Sequence, residues 1–223
     1  MKFACGITTV PSRADDLLPA TVASLRAADF PAPRLFVDGR ADARHEALSP
    51  DVTARGEPLG AFGNWLLALQ ELVIRHPDAD LIALFQDDLE AAPGLRGYLE
   101  RTLRPASCYW NLFTTGGADT HDPTDSWAGP GWNPSRRPGT GAVALIFPIE
   151  TAILLLRQAW IHGQPRDGIR RKAFIDDCVR RCLQPLRVAE LVHGPSLVQH
   201  KGALRSTVRS QLQLTASTFG ETR

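Results

Sequence analysis

Along the chain, short unbroken apolar runs alternate with stretches in which apolar residues recur every three or four positions. Residues 3–10 form a β-rich run that stops at Pro11-Ser12-Arg13, and in 15–28 the residues Leu17, Leu18, Val22 and Leu25 fall on one helical face. Residues 34–39 read as a second strand, followed by a polar segment through Pro58. Residues 60–76 form an amphipathic helix with Trp65, Leu66, Leu69, Leu72 and Val73 inward, stopped by Pro77. A strand over 80–85, a helix from about Pro93 to Leu103 and a strand over 108–114 continue the alternation. Residues 115–139 interrupt it with Gly, Pro, Asp, Asn and Trp in no period; a loop that long in a compact domain is usually functional or disordered. A strand over 141–147, helices over 149–160 and 174–183, a short strand over 187–192 and a loop over 193–202 complete the pattern.

Strands alternating with helices at this spacing predict an α/β, Rossmann-like domain with a mostly parallel central sheet flanked by helices. It is expected to span residues 1–205, with a polar, flexible tail over 206–223. A hydrophobic content of 43% and a charged content of 22% are those of an ordinary globular chain. The formal net charge of +1 argues against a nucleic-acid partner. No apolar stretch approaches the roughly 20 residues of a membrane span, and the first residues run straight into a strand, so a cytoplasmic protein with no integral membrane segment is expected. Cys5, Cys108, Cys178 and Cys182 lack a second pair or a nearby His at zinc-site spacing and are expected to be reduced, structural thiols.

The chemistry gathers where the strand over 80–85 ends. Gln86-Asp87-Asp88 puts two adjacent carboxylates at the carboxyl end of a buried strand, where open α/β sheets bind ligands. Two carboxylates side by side repel, so they need solvent or a cation between them. A divalent metal that also holds a phosphate would meet that need. No Gly-x-Gly-x-x-Gly and no phosphate-loop Lys is present to support a dinucleotide or ATP site.

The order of these signals resembles the GT-A glycosyltransferases, which use nucleotide-sugar donors and carry an Asp-x-Asp motif where this chain has Gln86-Asp87-Asp88. The resemblance runs through Thr8-Thr9-Val10-Pro11-Ser12-Arg13, Asp38, Asn64, Gly139-Thr140-Gly141, Asp176-Asp177 and His200. The segment Gly194-Pro-Ser-Leu-Val-Gln-His-Lys-Gly202 is similar to one in the N-acetylglucosaminyltransferase IV type enzymes. What the resemblance implies is a GT-A-like domain that transfers a hexosyl or N-acetylhexosaminyl group from a UDP- or GDP-type donor to a hydroxyl of a glycan, protein or small molecule.

It further implies that Asp88 and His200 hold Mn²⁺ or Mg²⁺, and that Thr9, Val10, Arg13, Asp38, Asn64, Gln86, Asp87 and Gly141 bind the donor. Asp177 would be the base of an inverting displacement and Asp176 its positioning neighbour; retaining chemistry stays open. Gln86 stands where the family often has an acid, which bears on metal dependence. Trp127 and Trp132, in the long loop, offer ring faces for an acceptor or a lid. Two alternatives remain beside this reading: another metal-dependent nucleotide-using enzyme such as a nucleotidyltransferase, and an inactive nucleotide- or carbohydrate-binding module.

Overall fold

The computed structural model describes residues 1–30, 33–103, 107–116, 126, 128–164, 174–201, 216 and 219. Its centre is an eight-stranded sheet in the order β3-β2-β1-β4-β8-β6-β9-β7. The strands are β1 Phe3–Thr9, β2 Arg34–Val37, β3 Val52–Ala54, β4 Leu81–Gln86, β6 Cys108–Asn111, β7 Gly131–Pro134, β8 Ala144–Pro148 and β9 Ala189–Gly194. β7 and β8 run against the other six, so the sheet is mostly parallel, as expected. A separate two-stranded ribbon pairs β5 Leu89–Ala91 with β10 Val198–His200.

Strand residues alternate between two buried layers, because both faces of the sheet are covered. On β4, Leu81, Ala83 and Phe85 pack with Leu18, Val22 and Leu25 of α1 Leu17–Ala27 and with Leu95 and Leu99 of α4 Leu95–Thr102. Ile82 and Leu84 face the other way, onto Trp65, Leu66 and Leu69 of α3 Gly60–Arg75. That second layer also takes Ala152 and Leu155 of α5 Ile149–Leu156, Ile161 of α6 Ala159–His162, and Val179 and Leu183 of α7 Ile175–Leu183. Gly6 of β1 leaves room for the Phe36 ring of β2 and for Leu72 of α3: a Cβ there would lie 2.6 Å from the ring and 3.1 Å from Leu72.

Several elements differ from expectation. The polar segment before Pro58 contains α2 Ala43–Leu48 and the edge strand β3. Asp42 caps α2 with its side chain on the Arg44 N–H, and His45 reaches back to the Asp42 N–H. The helix expected over 149–160 breaks at Arg157-Gln158 into α5 and α6. β7 lies inside the long expected loop and β10 inside the expected loop over 193–202. Of the expected tail, Ala216 and Phe219 are described: the Gln199 side-chain amide bonds both backbone groups of Ala216, and Phe219 packs on the α1–α4 layer. The four cysteines are free and buried. Among the described residues no helix is long and apolar enough to cross a membrane.

Candidate functional site

From β1 the chain moves to β2 on one side, and after β3 and α3 it returns to β4 on the other side of β1. The carboxyl ends of β1 and β4 therefore flank a crevice of the kind in which doubly wound sheets bind ligands. β1 delivers Thr9 and Val10 there, followed by a single 3-10 turn, Pro11–Arg13, whose first N–H is absent by virtue of Pro11. β4 delivers Gln86, and Asp87-Asp88 form the turn into β5.

Both carboxylates are buried, at 3% exposure each. The cation that makes this tolerable belongs to the chain: Arg13 Nη1 contacts Asp87 Oδ1 and lies 3.0 Å from Asp88 Oδ2. Thr9 donates its hydroxyl to Asp87 Oδ2 at 2.6 Å. Thr21 on α1 donates to the Asp87 carbonyl at 2.8 Å and accepts the Leu89 N–H at 3.2 Å, which fixes the turn from beneath. Burial pushes the Asp87 carboxyl up; Arg13 opposes this, the Asp88 charge adds to it, and the net direction is up. Burial acts upward on Asp88 too, but His200 and Arg13 outweigh it and hold Asp88 below the usual carboxylate range. Asp88 is thus the more acidic member of the pair.

His200 reaches this place through the ribbon. In the antiparallel register His200 faces Leu89, one residue beyond Asp88, and the Lys201 N–H bonds the Asp88 carbonyl at 2.7 Å. The imidazole Nε2 then lies 3.2 Å from Asp88 Oδ2. Two cis ligands of an octahedral Mg²⁺ or Mn²⁺ with bonds of about 2.1 Å stand about 3.0 Å apart, so Asp88 and His200 fit as one edge of such a shell. Asp88 Oδ1 is buried without a hydrogen-bond partner, an orphan acceptor of the kind a bound cation would compensate. Among the described residues no group of three or more His, Cys, Asp or Glu side chains could hold a metal. A cation here would need substrate oxygens to complete its shell, which is the usual way Mg²⁺ is held with phosphates.

A second group of side chains shapes the turn Gly139-Thr140-Gly141, whose two glycines have φ of 83° and 75°. Glu190 on β9 accepts the Gly139 N–H at 2.9 Å, and Asp176 accepts the Gly141 N–H at 2.7 Å. Asn111, at the end of β6, donates to the carbonyls of Thr140 and Gly141. Gln86 donates to the next carbonyl, that of Ala142, at 2.9 Å. Gly141 lies against Phe113, where a Cβ would come within 2.7 Å of the ring, and Phe113 meets the His200 imidazole edge to face. The turn, Phe113, His200 and Asp88 are therefore contiguous.

Asp177, in the second acidic pair, has its side chain 35% exposed and forms ion pairs with Arg180 and Arg181, each at 2.7 Å. Val10 accepts the Arg13 N–H with its carbonyl. Asp38 is at the end of β2; its N–H bonds the Thr9 carbonyl and its carboxylate takes the Leu59 N–H at 2.6 Å, ahead of α3. Asn64 is buried on α3, where it donates to the Phe36 carbonyl and accepts from Arg55. Trp132 stands elsewhere on β7: its indole N–H goes to Thr102 and its ring meets His193 edge to face, so the side chain is anchored to α4 and β9. Trp127 lies outside the described residues.

Sequence reasoning passed over Thr21, Arg55, Asn111 and Glu190. Glu190 did carry a signal, as the lone acid in Val188-Ala-Glu-Leu-Val192; Thr21 carried none. Arg55 lies over the Phe36 ring and pairs with Glu71, beside Asn64.

Glu190 makes a pH prediction. Burial raises its pKa, although the Tyr109 hydroxyl donates to it at 2.5 Å. The folded state then binds the proton more tightly than the unfolded chain, so this group's contribution is full below the unfolded pKa of about 4.3 and is lost as pH rises through the raised value. Glu190→Gln keeps an acceptor for Tyr109 and Gly139 without the charge. The variant's melting temperature minus that of the wild type should therefore increase from about pH 4 upward and then level off. Each tenfold difference in proton affinity is worth about 1.4 kcal/mol, or roughly 2–4 °C. A difference that is flat or falls with pH would refute it.

No protein-family model matches the sequence, and no curated protein matches it either. Solved structures do. S. aureus TarS 1-349 in complex with UDP superposes with a TM-score of 0.55 at 14% identity, over 86% of this chain and 57% of that one. The same protein in complex with UDP-GlcNAc gives 0.54 at 13%, over 86% and 56%, and the longer S. aureus TarS gives 0.54 at 11%, over 94% and 41%. The chain thus spans about half the length of these structures. At such identity the likeness is one of fold, and it agrees with the GT-A-like, single α/β domain expected from the sequence.

Proposed function

We propose that this protein is a glycosyltransferase that moves a sugar from a UDP-type nucleotide donor to an acceptor hydroxyl, with inversion, using Mn²⁺ or Mg²⁺. The observation that carries the reading is the Asp88–His200 edge beside Arg13 and Thr9, at the switch point of a sheet whose structural neighbours were captured with UDP and UDP-GlcNAc. The four buried, free cysteines suit a reducing, cytoplasmic setting.

Asp88 and His200 would hold the metal, whose chemistry is to neutralise charge on the departing diphosphate as a Lewis acid. Arg13 supports the same charge from the β1 side, and Thr9 orients Asp87, which anchors Arg13. Gln86 brings no charge; it fixes the Ala142 carbonyl and with it the run into the glycine turn. Asp176 and Glu190 clamp that turn, which leaves backbone free to approach the donor sugar. Asp177, at the start of α7, is the base that takes the acceptor proton as the hydroxyl oxygen attacks the anomeric carbon.

Thermal-shift titration with nucleotides and nucleotide sugars, with and without Mn²⁺, tests the reading. A ligand present at 100 times its dissociation constant stabilises by about 2.7 kcal/mol. The expected result is a rise with UDP or a UDP-sugar that is larger with Mn²⁺, followed by sugar transfer in an acceptor screen. No rise with any nucleotide, with or without metal, would defeat it.

A further inference from the structure

We propose that Arg13 is a place-holding cation: it occupies Asp88 until a nucleoside diphosphate draws it away, so that metal and nucleotide enter the site together. The inference deepens the reading above and rests on it.

The two partners of Arg13 are not equivalent. Asp87 is fixed on all sides, by the Thr9 hydroxyl on one oxygen, by Arg13 on the other and by Thr21 on its carbonyl. Asp88 meets Arg13 through Oδ2, the same oxygen that faces His200 Nε2 at 3.2 Å. The remaining oxygen, Oδ1, is buried away from solvent. Oδ1 has no partner of its own and can meet a cation too, but the edge shared by Asp88 and His200 runs through Oδ2, which the guanidinium already contacts at 3.0 Å. A divalent ion and a guanidinium on one carboxylate oxygen repel each other in a site this buried, where charges are poorly screened.

A diphosphate relieves that conflict. Guanidinium groups bond phosphate oxygens with the same charge-assisted geometry as carboxylate oxygens, so Arg13 can exchange Asp88 for a phosphate oxygen while Asp87 keeps it in place. The exchange frees Asp88 Oδ2 for the metal at the moment the diphosphate brings further metal ligands. Coupling of this kind is reciprocal: nucleotide tightens metal by the same factor as metal tightens nucleotide.

The test is Mn²⁺ binding to the full chain, read from the electron paramagnetic resonance signal of free Mn²⁺, without nucleotide and at saturating UDP. Wild type should bind Mn²⁺ weakly alone and at least tenfold more tightly with UDP. Arg13→Met, similar in reach and uncharged, should bind Mn²⁺ alone at least tenfold more tightly than wild type and show a smaller gain from UDP. Should the methionine variant not fold, Arg13→Lys, whose shorter reach weakens the hold on Asp88, is read in the same way. Mn²⁺ affinity without nucleotide that equals wild type in the folded variant overturns the proposal while leaving the metal reading intact. No Mn²⁺ binding by wild type with UDP present, or by the variant, overturns both.

Discussion

Asp88→Asn is expected to fold and to lose at least about 10³-fold in transfer rate, together with the Mn²⁺-dependent part of the thermal shift with UDP. The asparagine carbonyl can still accept from Arg13 and His200, as Oδ2 does now. Its amide would occupy the position of Oδ1, which already lacks a partner, so the cost is that of one buried unsatisfied donor, about 1–3 kcal/mol. Relief of the repulsion with Asp87 works in the opposite direction. Stability at neutral pH should therefore fall modestly, because the charge that His200 and Arg13 favour is lost as well, while a neutral amide is a poor ligand for a hard cation. Losing several kcal/mol of stabilisation on the departing diphosphate corresponds to about a thousandfold or more in rate. The measurement is single-turnover transfer with saturating donor and Mn²⁺. Wild-type turnover that remains Mn²⁺-dependent in Asp88→Asn would remove Asp88 from the metal site.

Why Asp88 could be singled out beforehand, and Arg13's hold on it could not, is a matter of range. β1, β4, α1 and α3 were legible because each is a long apolar run or a strongly periodic segment that buries itself against the sheet. β3, β5 and β10 are three residues each and exist because a distant partner pairs with them; their own sequence has too few positions to establish a period of two. His200 illustrates the consequence. Its chemistry could be read from a resemblance, but its placement beside Asp88 depends on the register Val198↔Ala91, Gln199↔Glu90, His200↔Leu89. The same holds for Asp87, whose neighbours Thr9, Arg13 and Thr21 are 66 to 78 residues away. Trp132 shows the opposite lesson: an aromatic in a glycine-rich stretch suggested a ring face for a ligand, while its indole N–H and its packing on His193 anchor β7 at the sheet edge.

Asp177→Asn should leave UDP and Mn²⁺ binding at wild-type strength and lower the rate of transfer about 10²- to 10⁴-fold, the range a positioned general base supplies. The structure separates this effect from folding. Asp177 makes two ion pairs along its own helix, with Arg180 and Arg181, and such i, i+3 and i, i+4 pairs contribute about 0.3–0.5 kcal/mol each. Its acid at the first turn of α7 adds about 0.3–1 kcal/mol through the helix dipole. Asp176 differs, because its carboxylate holds the Gly141 N–H and through it the turn against Phe113 and His200. Asp176→Asn should consequently weaken donor binding and stability as well as rate. The two variants can be told apart by measuring UDP affinity beside single-turnover transfer. A rate lost in Asp176→Asn at unchanged donor affinity, with Asp177→Asn fully active, would move the base to Asp176. Full transfer in both would take the proton-removing role away from this helix altogether.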